Sequence, residues 1–433
     1  MNESANGGEK TKEPSRKDLG NFQGAFHSGI GSHFRSGGSQ YSRTTYDPLK
    51  ALLPSHLTVW VRHVAKFWFK KKRAFRDYTT PGKGNGVHGI GDKVRLSVIG
   101  DWGTGTDEAE MVAEQVREFR PEFTIHLGDV YFVGDETEVK ENFLGEKTSD
   151  YAPVKWPMGT KGSFALCGNH EMYARGGGYF DAVLPRMGLK RSATSEWGEG
   201  QWASFFCLEN KHWRIVGIDT GYDSTRFDWG RVPIVQKSKW VRTSEALKPR
   251  CELHEKLMKW LATEVNPDGD NRGLILLSHH GPFSSFSDWY RVPSKQLSQL
   301  IHRPAIWFWG HEHKLAIYDL HSVTGGIATY GRCIGHGGMP VERGQEPDID
   351  ECRWLAWDNR RYHNGEKIDA GFNGHANLIL DGADMRVDYR DLRGERLLSE
   401  EWRVDLRSGR LEGPRLKKVL QHESLHFREP APR

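Results

Sequence analysis

Short, uninterrupted apolar runs recur along the chain from residue 94 onward. They lie at 94–99, 123–127, 163–167, 213–218, 273–277, 305–309 and 376–380. Runs of this length and composition predict strands that are buried on both faces of a sheet. Stripes at helical spacing lie at 107–119 and 253–265 and predict helices, the first capped by Thr106. Strands that alternate with helices predict an α/β fold.

The two ends of the chain depart from this pattern. Residues 1–45 are rich in Gly, Ser, Lys and Glu and poor in aliphatics, which predicts a disordered N-terminal tail. Residues 46–92 are predicted to form an amphipathic helical segment followed by a glycine-rich linker. The regular pattern predicts one main domain over 93–407, and the polar residues 408–433 are predicted to form a C-terminal tail.

The segment 57–73 has apolar residues at helical spacing and a trailing cluster of lysine and arginine. A basic amphipathic helix of this kind can lie on an anionic membrane surface. Alternatively, the helix packs on the main domain or on a second subunit. The sequence leaves both interpretations open.

Composition narrows the class of protein. With 37% hydrophobic and 27% charged residues among 433, the chain has enough apolar material for a sizeable core. Its net charge of +4 is small for this length and does not indicate a nucleic-acid partner. Five cysteines without a C-x-x-C spacing favour a reducing compartment over a disulfide framework. Without a secretory signal or a run of 18 apolar residues, we expect a cytoplasmic protein.

Metal-ligand residue types follow five of the predicted strands, at the point where each apolar run ends. The sequences there are G-D-W-G from residue 100, G-D-V-Y from 128, G-N-H-E from 168, S-H-H-G-P from 278 and G-H-E-H from 310. Each of these alone fits an ordinary turn. Because ligands bind beyond the carboxyl ends of strands in open α/β sheets, we expect the five ends to converge on one site.

The residue types at these five ends predict the kind of site. The candidate ligands are Asp101, Asp129, Asn169, His280, His311 and His313. Oxygen and imidazole ligands together suit Mn, Fe or Zn better than Ca. Two metal ions about 3.5–4 Å apart need a bridging carboxylate and several terminal ligands. These six candidate ligands therefore match a centre of two divalent or trivalent metal ions whose coordination is completed by solvent.

In this order, over roughly residues 94–320, the motifs resemble those of the calcineurin-like metallophosphoesterases, and G-D-W-G and G-N-H-E resemble the purple acid phosphatase branch. The resemblance implies a β-sandwich flanked by α-helices in four α/β/β/α layers, with the site at the strand ends. It also implies that 93–407 is the catalytic domain of a phosphate-ester hydrolase. The expected substrate is a phosphorylated small molecule, either a monoester or a small diester, attacked at phosphorus by hydroxide that two metal ions supply.

The resemblance implies a role for each candidate residue. Asp101 and His313 would bind the first metal, and Asp129 would bridge both metals. The ligands implied for the second metal are Asn169, His280 and His311. His170 would bind a substrate oxygen and protonate the leaving group rather than hold a metal. Its neighbour Glu171 would either orient His170 or serve the first turn of a helix.

Two departures from the family pattern concern the first metal. Most members carry Asp-x-His in the first motif, whereas position 103 is glycine here. Purple acid phosphatases instead place a tyrosine three residues after the second aspartate, where this chain has Phe132, with Tyr131 one position earlier. Either Tyr131 reaches the metal or the first site keeps fewer protein ligands. His279 could support a metal ligand or contact the substrate, but the sequence does not select it for either role.

Two other functions compete with a small-molecule phosphoesterase. A nuclease would share the metal chemistry, but the missing Asp-x-His is unlike the nuclease branch, so we do not expect nucleic acid as a partner. A metal-binding interaction module without catalysis would have lost His170, which is present. Contact with a membrane surface through 57–73 could accompany any of the three.

Overall fold

The computed structural model describes residue 67 and residues 70–148, 153–224, 251–286, 289–348, 352–362 and 370–430. The tail predicted over 1–45 lies outside these residues. So does the segment 57–73, except for residue 67 and residues 70–73.

Two large sheets make up the described part of the chain. Their strands are β1 (Val87–Gly89), β2 (Lys93–Ile99), β3 (Phe123–His126), β4 (Gly162–Ala165), β5 (Gly188–Leu189), β6 (Phe206–Glu209), β7 (Trp213–Gly217), β8 (Gly273–Ser278), β9 (Ala305–Trp309), β10 (Leu315–Ser322), β11 (Ala328–Ile334), β12 (Trp354–Asp358), β13 (Gly374–Asp381), β14 (Asp384–Asp391), β15 (Arg396–Asp405), β16 (Arg410–Lys418) and β17 (Leu425–Phe427). The nine-stranded sheet has the order β1-β6-β7-β8-β9-β11-β10-β12-β17, and the eight-stranded sheet has the order β16-β15-β14-β13-β2-β3-β4-β5. The predicted α/β fold with two packed sheets is confirmed.

The helices are few and mostly short. They are α1 (Asp107–Phe119), α2 (Glu136–Asn142), α3 (Asn169–Tyr173), α4 (Glu255–Trp260) and α5 (Arg291–Leu297), with π turns at Tyr179–Val183 and Leu261–Val265 and a 3-10 turn at Leu184–Arg186. The side chain of Thr106 accepts a hydrogen bond from the backbone N–H of Ala109, so α1 begins at the cap that the sequence predicts. Among the described residues, no helix combines the length and the apolar character that crossing a bilayer requires.

The main hydrophobic core lies between the two sheets. Leu96 and Ile125 from the eight-stranded sheet belong to the same buried cluster as Ile215 and Ile275 from the nine-stranded sheet. Strands β7 to β9 are buried along their whole length, as their continuous apolar sequences predict.

A fully buried ion pair joins the two sheets inside this core. Arg332 on β11 and Glu400 on β15 have side chains that are both 0% exposed, and Nη2 of Arg332 lies 2.7 Å from Oε2 of Glu400. The hydroxyl of Tyr389 on β14 donates to Oε1 of Glu400 over 2.7 Å. A second guanidinium nitrogen donates to the backbone carbonyl of Tyr318 over 2.8 Å. The carboxylate and the cation therefore satisfy each other in a place that solvent does not reach.

The chain after residue 407 belongs to both sheets. Strand β16 forms the edge of the eight-stranded sheet and buries Leu411 and Leu416, whereas β17 forms the edge of the nine-stranded sheet and buries Leu425. The structure therefore differs from the predicted boundary at 407, because these residues complete the core instead of forming a polar tail.

The chain before β2 also packs on the sheets. Strand β1, inside the predicted glycine-rich linker, pairs in parallel with β6. Upstream of it, Phe75 is buried and stacks on His254 with ring centroids 4.1 Å apart. Arg73 and Arg76 both form ion pairs with Asp181. Residues 70–78 thus pack on the main domain, whereas a membrane role for 57–66 concerns residues that the structure does not describe.

Candidate metal centre

The carboxyl ends of six strands meet at one edge of the two sheets. Strands β2, β3 and β4 are parallel neighbours in the eight-stranded sheet, and β7, β8 and β9 are parallel neighbours in the nine-stranded sheet. The turns after β2, β3 and β4 carry Asp101, Asp129 and Asn169, and the turns after β8 and β9 carry histidines. Both sheets therefore contribute side chains to the site, as the positions of the motifs predict.

Three site residues adopt the left-handed backbone conformation, which is common for glycine and uncommon for other residues. Asp101, Asp129 and His311 have φ angles of 57°, 72° and 68°, and they are three of the seven described non-glycine residues with positive φ. The left-handed conformation costs an ordinary residue about 1–2 kcal/mol. Such outliers gather at functional sites, where the surrounding structure holds them in place.

The glycines of the motifs allow two of the loops to approach the carboxylates. A Cβ atom on Gly168 would collide with Oδ1 of Asp129, and a Cβ atom on Gly310 would collide with Oδ2 of Asp101. Close packing against an aspartate from another strand therefore explains the glycine in G-N-H-E and the glycine in G-H-E-H.

The first group of possible ligands surrounds the hydroxyl of Tyr131. This oxygen lies 2.7 Å from Oδ1 of Asp101, 3.1 Å from Oδ2 of Asp129 and 3.0 Å from Nε2 of His313. Nε2 of His313 also lies 3.6 Å from Oδ1 of Asp101. Atoms that share one metal at bond lengths of about 2.0–2.2 Å lie about 3.0–3.5 Å from each other. The four side chains therefore have spacings close to those of a common metal ion.

The second group surrounds Nε2 of His279. This nitrogen lies 3.1 Å from Oδ1 of Asn169, 3.3 Å from Oδ2 of Asp129 and 3.3 Å from Nδ1 of His311. One ring nitrogen from each of His279, His280 and His311 lies within 4.8 Å of the other two. Asp129 belongs to both groups, which is the position that a bridging carboxylate requires.

His279 is the residue that sequence reasoning missed. Its side chain is 0% exposed and stands among the predicted ligands, whereas Nδ1 of the predicted ligand His280 lies 3.1 Å from the hydroxyl of Thr220. The two rings remain close, with centroids 4.7 Å apart. Neighbouring side chains on an extended segment point in opposite directions, so spacing alone could not show which of them faces inward.

Backbone carbonyls fix the orientation of two of the imidazoles. Nδ1 of His279 lies 3.1 Å from the carbonyl oxygen of Leu127, and Nδ1 of His170 lies 2.5 Å from that of Phe132. In each ring Nδ1 then carries the proton, and Nε2 is the nitrogen that can accept a proton or a metal. Nε2 of His170 lies 3.8 Å from Oδ2 of Asp129, and the side chain is 18% exposed.

The electrostatics of the site also suit cations. Burial raises the pKa of Asp129, but the neighbouring His279 and His170 outweigh it and hold that pKa well below its ordinary value. Burial lowers the pKa of His279, yet Asp129 and Asp101 raise it to about 9. Within the described residues, neither aspartate pairs with a lysine or an arginine. Two buried carboxylates beside imidazole, amide and phenol groups fit the donor chemistry of a transition-metal centre.

Glu171 connects two of the ligand-bearing loops. Its buried carboxylate accepts hydrogen bonds from the backbone N–H groups of Asp129, Val130 and Gly168 over 3.2, 2.8 and 2.9 Å. Burial and the charge of Asp129 raise the pKa of Glu171 to about 8. Glu171 lies in the first turn of α3, and its bonds hold the loop after β3 against the loop after β4.

The chain is similar to one known protein family and, more distantly, to several solved structures. The family model described as calcineurin-like phosphoesterase matches residues 94–315. No curated protein matches the chain. Among solved structures, PhoD is 10% identical with a TM-score of 0.46, covering 76% of this chain and 72% of its own. GAP50, the anchor in the inner membrane complex of Plasmodium, is 13% identical with a TM-score of 0.39, covering 72% of this chain and 89% of its own. Vacuolar Protein Sorting 29 from Cryptosporidium parvum is 11% identical with a TM-score of 0.28, covering 72% and 98%.

Proposed function

This chain belongs to the calcineurin-like phosphoesterase family, and from this premise we propose that it is a metal-dependent hydrolase of small phosphate esters. One observation carries the proposal: two groups of candidate metal ligands share Asp129, and His170 lies beside them. Membership of the family indicates the class of reaction, and the geometry indicates which residues would carry it out. The ester is either a monoester or a small diester, and the ions are Mn, Fe or Zn.

Seven side chains would hold two metal ions. They are Asp101, Asp129, Tyr131 and His313 at the first metal, and Asp129, Asn169, His279 and His311 at the second, with His280 beside the second group. When bound, the ions would lower the pKa of a water molecule and offset charge on the phosphoryl group.

Tyr131 compensates in this proposal for the residues missing from the first motif. A Cβ atom on Gly103 would lie 2.9 Å from Cα of Val130, so the backbone here leaves no room for a histidine. The backbone N–H of Tyr131 donates to the carbonyl oxygen of Gly103 over 2.9 Å. This contact brings the tyrosine beside the first motif, and its hydroxyl lies where the missing ligand would act.

His170 would deliver the proton that the leaving group needs. Its backbone N–H donates to Oδ1 of Asp129 over 2.9 Å, which fixes the residue relative to the bridging carboxylate. Because Nδ1 is held by the carbonyl oxygen of Phe132, Nε2 is the ring atom that would carry the transferable proton. Protonation of the leaving oxygen avoids the release of an unstable alkoxide.

The test is an activity assay with a matched pair of variants. Metal-stripped protein is loaded with Mn, Fe or Zn and assayed on p-nitrophenyl phosphate and bis-p-nitrophenyl phosphate. On an alkyl phosphate assayed in parallel by phosphate release, His170→Ala should lower kcat about 100- to 10,000-fold, because the leaving alkoxide needs the proton. The loss should be much smaller on the two p-nitrophenyl esters, whose phenolate leaves without protonation. His422→Ala changes an exposed histidine on the C-terminal segment and should not alter turnover. No turnover with any metal, together with full metal binding, would favour the interaction module, and equal rates of both variants on the alkyl phosphate would remove His170 from the mechanism.

A further inference from the structure

Tyr290 lies outside the family motifs but contacts the second group of ligands. The tyrosine is 3% exposed and precedes α5. Its backbone N–H donates to the carbonyl oxygen of Gly281 over 2.9 Å, which folds the chain after the S-H-H-G-P motif back over that motif. The position of the side chain is therefore set by the loop that follows β8.

The hydroxyl of Tyr290 lies 2.9 Å from Nε2 of His311. The other ring nitrogen of His311, Nδ1, lies 3.3 Å from Nε2 of His279, inside the second group. A neutral imidazole has one N–H and one lone pair, so only one of its nitrogens can bind a metal. With Nδ1 facing the site, Nε2 must carry the proton and donate it to the oxygen of Tyr290.

The ring of Tyr290 contacts two of the three clustered imidazoles. It packs edge-on against His280 with centroids 4.6 Å apart and against His311 with centroids 5.3 Å apart. The contact between the rings of Tyr290 and His280 fixes their positions, whereas the hydroxyl of Tyr290 selects the tautomer of His311. The two effects can be separated, because phenylalanine keeps the ring and removes only the oxygen.

We infer that Tyr290 is a positioning residue that presents Nδ1 of His311 to the second metal. This inference rests on the proposed function, since it needs a metal at that position. Partners that hold the far nitrogen of a metal-binding histidine typically contribute about 10- to 100-fold in metal affinity. Removal of the hydroxyl should therefore weaken the second metal by that factor and leave the first unchanged.

The experiment measures metal binding directly. Wild type, Tyr290→Phe, His311→Ala and Tyr179→Phe are stripped, and the Zn²⁺ dissociation constants are measured by competition with a chromophoric chelator. Tyr179→Phe is the matched control: Tyr179 is 1% exposed, and its hydroxyl donates to the backbone carbonyl of Ala165 instead of a histidine. Thermal unfolding of the stripped proteins verifies that all four fold.

The expected result is two zinc sites in wild type and in Tyr179→Phe, and a second site weakened about 10- to 100-fold in Tyr290→Phe. At saturating zinc, kcat of Tyr290→Phe should return to within a few-fold of wild type. If Tyr290→Phe binds both ions as tightly as wild type while His311→Ala loses one, the role of Tyr290 is refuted and the proposed function stands. If wild type binds none of zinc, manganese and iron, both fail.

Discussion

Replacing Glu400 with leucine should destabilise the protein far more than replacing an exposed acid on the same sheet. The change removes three guanidinium contacts of Arg332, at 3.0, 3.1 and 2.7 Å, in a place where neither side chain is exposed. The cation keeps two backbone carbonyls, at 2.8 and 2.7 Å, but loses its counter-charge. An uncompensated buried charge costs about 3–5 kcal/mol, so the free energy of unfolding should fall by about that amount.

Urea unfolding followed by tryptophan fluorescence measures this loss, because the chain has 16 tryptophans. The matched control is Asp384→Leu, which removes the ion pair of Asp384 with Arg403. That pair has the same kind of contact at 2.8 Å, but its side chains are 59% and 58% exposed. Exposed pairs contribute about 0–1 kcal/mol, so the control should unfold close to wild type.

The double variant Arg332→Met with Glu400→Leu gives the decisive comparison. It removes both charges at once, and a buried pair replaced by apolar residues is often neutral or stabilising. We expect the double variant to recover most of the stability that Glu400→Leu loses. A loss below about 1 kcal/mol in Glu400→Leu, or a double variant no more stable than the single one, would refute the reasoning.

Three further predictions concern titration and the site. Burial lowers the pKa values of His126, His336 and His375 to about 3, 4 and 3. These rings stay neutral in the folded protein, whereas histidines of the unfolded chain take up protons below a pKa of about 6.5. Each of the three histidines therefore lowers the free energy of unfolding by about 1.4 kcal/mol per pH unit as the pH falls from about 6.5 toward 4. In urea unfolding between pH 7 and 5, the stability of His375→Leu should fall less steeply than that of wild type, and an unchanged slope would contradict this. Tyr131→Phe should lose the first metal and keep the second, and two ions in elemental analysis would exclude Tyr131 as a ligand. Above the pKa of about 8 at Glu171, for example at pH 9, Glu171→Gln turns one acceptor into a donor facing backbone N–H groups and should cost about 1–3 kcal/mol, measurable as a lower unfolding midpoint in the metal-free protein.

Much of the architecture can be predicted from local patterns. The predicted helix over 107–119 coincides with α1, because a cap, an acidic first turn and an apolar stripe all agree there. The edge strand β16 escaped prediction because Arg410–Lys418 carries five charged residues and a Gly-Pro pair, which are more typical of a turn than of a strand. Such a strand is recognised only when its neighbour β15 is known.

For the site, the sequence predicts which loops contribute residues but not the direction in which each side chain points. The motifs predict which strand ends contribute, since that depends on topology. They do not predict that His279 faces inward, because this depends on how the turn after β8 rotates. The position of Tyr131 depends on the approach of Gly103 to Val130, a contact between two loops that no local pattern encodes.

The left-handed backbone at Asp101, Asp129 and His311 has a consequence for protein engineering. Glycine would relieve at most about 1–2 kcal/mol of local strain at His311, and less at the two aspartates, which tolerate this conformation better. Glycine's larger loss of conformational entropy offsets part of this gain. A redesign that optimises thermal stability alone would tend to accept such changes and remove side chains of the proposed metal centre. Stabilised versions of this protein should therefore keep these three residues fixed, because their left-handed backbone orients the side chains of the proposed metal centre.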